Sequence, residues 1–80
     1  VRDAVVEHFA RLERELGRAV ELVVAQGHFR ADLDVGQFVF EMMGIVYAYQ
    51  HGARLFDAAR ARTRARAAFE RLAGSAALAA

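Results

Sequence analysis

Eighty residues leave room for one small domain, and a net charge of +1, from eleven arginines against ten carboxylates, argues against a nucleic-acid surface spread over the chain. Hydrophobic residues make up 56% of it, yet 18 of those 45 are alanine, so close helix packing has to supply much of the stability. Cysteine is absent, which removes disulfides and thiolate metal sites, and the uncharged run Met42 to Ala53 is far short of the ~20 residues of a membrane span.

The first predicted helix runs from about Asp3 to Gln26. Val5, Phe9, Leu12, Leu16, Ala19 and Val23 fall at steps of four and three, the seam of an amphipathic helix. Glu7, Arg11 and Glu15 line the opposite, solvated side. Gly27 stops the helix, as glycine does in the left-handed position past a C-terminus. A linker, His28 to Leu33, leads to Asp34, which is placed to cap the next helix. Gln37 stands three residues on, completing a capping box, and Leu33 and Phe38 occupy the positions of a hydrophobic staple.

The second helix is expected over about 35–56 and is apolar nearly all round. Phe38, Met42, Ile45, Tyr49, Gly52 and Phe56 make one seam; Val39, Met43, Val46 and Ala53 make a second; Phe40, Tyr47 and Leu55 add to a third. Such a helix needs cover on every side, and the chain offers two other helices for it. That shortfall is the main argument for a partner, either a second subunit or further segments of the same chain. Asp57 is placed to cap a third helix, about 58–73, with the seam Ala58, Ala61, Ala65, Ala68 and Leu72. Its alanines allow a close axial approach, for which Gly44, Ala48 and Gly52 offer a smooth groove. Gly74 is expected to end this helix, with Ser75 to Ala80 frayed. The fold class is therefore all-α.

Chemistry is thinly represented. His8, His28 and His51 share no i, i+4 spacing, so no metal site or cofactor is expected. Thr63 and Ser75 are the only candidate nucleophiles, neither with a histidine near in sequence, and no enzymatic function is expected. Arg60, Arg62, Arg64, Arg66 and Arg71 alternate with other residues around the third helix, which reads as a solvated face or as rim contacts with a partner. A pocket for an apolar ligand could draw on the aromatic and methionine cluster of the second helix, with Phe40 and Tyr47 in its wall and His8, Phe9 and His51 beside them.

The stretch Ala25-Gln26-Gly27-His28-Phe29-Arg30-Ala31-Asp32-Leu33-Asp34, followed by Val35-Gly36-Gln37-Phe38-Val39-Phe40-Glu41 and later by Ala68-Phe69-Glu70-Arg71-Leu72, resembles the C-terminal regulatory domain of TetR-family transcriptional repressors. The likeness runs from about Arg2 to Ala73. It implies that the last two helices pair with the same two of another subunit in a four-helix bundle. It also implies that preceding helices wall a pocket for a small, often apolar inducer, and that a DNA-reading helix-turn-helix lies in a separate N-terminal domain upstream of Val1. The chain, 1–80, is then the regulatory and dimerisation portion of a cytoplasmic homodimer that reaches DNA only through that domain. The expected interface residues are Phe38, Met42, Ile45, Tyr49, Gly52, Phe56, Ala61, Ala65, Ala68 and Leu72. The alternative is a stand-alone helical dimerisation or adaptor domain with neither ligand nor DNA.

Overall fold

From the end of α1 to the start of α3, each helix boundary follows from a signal within a few residues of it. The structure, a computed structural model, describes residues 2–77. It consists of α1 (Arg2–Ala25), α2 (Val35–Leu55) and α3 (Ala58–Ala76). At the end of α1, Gly27 takes φ 80°, its N–H donates to the Val24 carbonyl at 3.0 Å, and the His28 N–H donates to Val23 at 3.2 Å. This pair of bonds is a Schellman motif, which satisfies carbonyls that the helix end would otherwise leave unpaired. Asp34 caps α2 through its carboxylate, which accepts from the Gln37 N–H at 3.0 Å. Both Leu33 and Phe38 of the expected staple join the core. The Phe56 N–H closes α2 on the Gly52 carbonyl at 3.0 Å. One residue later, Asp57 caps α3 by accepting from Ala59 and Arg60 at 3.0 and 3.3 Å.

The end of α3 differs. Gly74 does not stop it: the helix continues to Ala76, and Ser75 to Ala77 are ordered parts of the fold. The reason lies far away in sequence. The Arg30 N–H in the α1–α2 linker donates to the Ala76 carbonyl at 2.9 Å, and Phe29 and Ala77 form an isolated antiparallel bridge. Ala76 is fully buried. Glycine's cost inside a helix, about 1 kcal/mol against alanine, is offset by contacts that local reading does not see. Residues 78–80 of the expected frayed tail lie outside the described residues.

The three helices spread into a flat body, 39 × 33 × 15 Å. α2 is the middle element, packed against both α1 and α3. The core sits at the corner where α1 ends and α2 begins. Val20, Phe38, Val39, Met43 and Ala76 are buried there, with Leu12, Leu16, Phe29, Leu33, Val35, Met42, Tyr47 and Leu72 packed round them. The rings of Phe29 and Phe38 meet at a centroid distance of 5.3 Å. Away from this corner the first half of α1 is open, with Val5, Val6 and Phe9 all exposed.

Candidate functional site

The cover on α2 resolves into stripes. Val39, Met43 and Tyr47, four apart, turn toward α1, and the ring of Phe9 lies 5.3 Å from that of Tyr47. The α3 side comes close at Gly52, where an added methyl group would stand 3.3 Å from the Ala61 Cβ. Gly52 lets the two helices of this antiparallel pair meet, as the alanine seam anticipates. Gly44 does not share that role: a methyl group there would meet nothing within 4 Å. With Ala48 it is exposed and lines open space.

That space is a groove of about 760 Å³ running between α2 and α3 on one face of the flat body. Gly44, Ile45, Ala48, Tyr49 and Gly52 form its α2 wall, and Ala61, Ala65, Ala68 and Leu72 form its α3 wall. Three charged side chains stand on its margins: Glu41 from α2, Arg64 and Arg71 from α3. A smaller groove of about 480 Å³ joins Ile45, Val46 and Tyr49 to Arg62, Ala65, Arg66, Phe69 and Glu70. Its position on the α3 wall, set by residues 62, 66 and 69 instead of 64, 68 and 71, puts it on the opposite face of the pair.

The expected interface residues therefore divide. Ile45, Tyr49, Gly52, Ala61, Ala65, Ala68 and Leu72 come together in the large groove. Phe38 lies in the chain's own core, 4% exposed, and Met42 is half-buried beside that core. Phe56 stands free at the end of α2, 85% exposed. The large groove also contains members that the seam pattern left aside: Glu41, Arg64, Arg71 and Ser75. A signal for them was present, since Arg64, Ala68, Arg71 and Ser75 recur at steps of four, three and four along one flank of α3.

Of the expected ligand residues, Phe9 and Tyr47 are in ring contact. Phe40, Tyr47 and His51 follow at i, i+7 and i+11 along one stripe of α2, with Phe40 and His51 exposed. His8 is exposed on α1. The hydroxyls offer no nucleophile next to a base. Thr63 donates to the Ala59 carbonyl at 3.1 Å and Ser75 to Leu72 at 2.7 Å, ordinary bonding back onto the helix. Among the described residues no three His, Asp or Glu side chains gather as metal ligands, and no helix is long and apolar enough to cross a membrane. The linker carboxylates are occupied structurally, Asp34 as the cap and Asp32 in an ion pair with Arg30 at 3.7 Å.

A family model, that of the tetracyclin repressor-like C-terminal domain, matches residues 1–69. No curated protein and no solved structure matches the chain.

Proposed function

Since the chain belongs to the tetracyclin repressor-like C-terminal domain family, a family of regulatory domains and not of enzymes, we propose that it is the dimerisation and small-molecule-sensing domain of a TetR-like transcriptional regulator. The observation that carries this reading is the large groove. Its floor is built from glycine, alanine and a few larger apolar residues, and no part of the described chain fills it. A second copy presents the same surface, so one self-complementary face serves both subunits. Small side chains on both walls let two such helix pairs approach closely enough to form a four-helix bundle.

The sensing part of the proposal draws on other residues. The ring contact of Phe9 and Tyr47, with Phe40 and His51 on the same stripe of α2 as Tyr47 and His8 exposed on α1, supplies an aromatic surface at which an apolar inducer has something to bind. An inducer that prefers one dimer arrangement shifts the spacing of DNA-reading domains carried N-terminally, and with it operator affinity. The regulator works in the cytoplasm on this reading.

Light scattering on a size-exclusion column, across a dilution series, tests the first part. A mass near twice 8.8 kDa that persists to low micromolar concentration is the expected result; a monomer throughout overturns it. The sensing part calls for operator affinity of the complete regulator to change with at least one apolar ligand, and an unchanged affinity across a broad ligand panel removes it.

A further inference from the structure

The margins of the large groove carry an arrangement of charge that the packing of the chain does not use. Glu41, Arg64 and Arg71 all line the groove. Among the described residues the ion pair within 4.0 Å is Arg30 with Asp32, so none of the three is neutralised inside the chain. Because α2 and α3 run antiparallel with Gly52 against Ala61, each step back along α2 is a step forward along α3. Glu41 therefore stands at the level of Arg71 and Leu72, on the opposite wall. By the same count Ala48 stands at the level of Ala65, and Ile45 at that of Ala68.

Resting on the reading that this groove receives a second copy, we propose that Glu41 of each subunit pairs with Arg71 of the other, and that these two ion pairs select the orientation in which the copies dock. Two symmetric dockings of the flat faces are open. With the two-fold axis along the helices, each α2 lies over the other copy's α3 at an unchanged level. Ala48 then meets Ala65, Ile45 meets Ala68, and Glu41 meets Arg71 twice over. With the axis across the helices, α2 lies over α2 with its direction reversed. Glu41 then comes near Gly52, Arg71 comes near Ala61, and neither charge finds the other. Leaving charges unpaired at a closing interface is costly, and complementary charges chiefly fix register and exclude wrong partners. Both considerations favour the first docking. Arg64, at the level of Tyr49, has no carboxylate opposite it and stays at the solvent edge.

Sedimentation equilibrium of the full chain tests this with Glu41→Arg, Arg71→Glu and the chain carrying both substitutions, at low and high salt. All the altered side chains are exposed, so circular dichroism should report unchanged helix content. Each single reversal is expected to weaken self-association about tenfold or more at low salt, and the difference should shrink as salt screens it. The double substitution should recover association to within about threefold of the unaltered chain. Mixing the two single variants should yield a mixed dimer tighter than either homodimer, because both of its contacts are then between opposite charges. A dimer whose affinity ignores both reversals, or whose double substitution fails to recover, overturns the ion pairs while leaving the association reading intact. An unaltered chain that is monomeric at every concentration overturns both.

Discussion

α2 makes two junctions, and they are built from different materials. Against α1 and the linker it uses large side chains: Phe38, Val39 and Met43 close on Val20, Leu12, Leu16 and Phe29. Against α3 it uses small ones, glycine on alanine at Gly52 and Ala61, and leaves an open groove alongside. Four of the five buried residues named above, Val20, Phe38, Val39 and Met43, belong to the first junction. The second brings two backbones together and presents a smooth surface, so its apolar area is available to something else. With five buried residues among those described, the same helix both anchors the fold and offers its remaining side.

The sharpest way to break this contrast is at the large-residue junction. Phe38→Ala removes a ring that is 4% exposed, and buried Phe→Ala changes cost about 3–5 kcal/mol. In so small a domain that is comparable to the whole stability, so a urea titration followed by circular dichroism should show most of the folded baseline lost. An unchanged midpoint would mean that the corner is not the core. Next in size comes the open side. Ala48→Arg places a long charged side chain in the groove and should weaken self-association tenfold or more with helix content preserved. If the same variant unfolds the chain instead, the groove is internal packing and the contrast fails.

Smaller effects sharpen the picture. Asp34→Ala and Asp57→Ala each remove a helix cap, and each should cost about 1 kcal/mol in thermal unfolding. A similar cost at both junctions would show that the contrast lies in packing and not in capping. Smallest is a difference between two glycines. Gly44→Ala meets no neighbour in the chain and should raise stability through helix propensity by about 0.5–1 kcal/mol, seen as a higher melting temperature. Gly52→Ala brings its methyl group 3.3 Å from Ala61 and should forfeit that gain. Equal responses in dilute solution would remove the argument that Gly52 sets the helix spacing.

What the sequence disclosed was decided by distance along the chain. Gly27, Asp34 and Asp57 act on backbone groups within five residues, so the starts of α2 and α3 and the end of α1 were readable from local pattern alone. The end of α3 was not, because Ala76 is held by Arg30, which no periodicity connects to it. The site was legible in composition and blurred in direction. The alanine seam and Gly52 pointed to the close α2–α3 junction, whereas Gly44 and Ala48, read as part of it, line the open groove beside it. An all-round apolar α2 gave no means to tell its stripes apart, however, and their assignment depends on where α1 crosses. Phe38 shows the consequence: it shares a seam with Tyr49 and Gly52, yet the ring of Phe29 from the linker claims it for the core. The arginines of α3 looked evenly scattered until the antiparallel level of α2 placed Arg71 across from Glu41.

The contact of Ala76 and Ala77 with Phe29 and Arg30 has a mechanical consequence. The helix pair is fastened at both ends, by the short turn at Phe56 and Asp57 and by this latch at the other. A pair braced twice resists splaying. The α3 side of the latch lies past residue 69, where the family match ends. A chain trimmed to that boundary would retain every residue of the match and lose the brace.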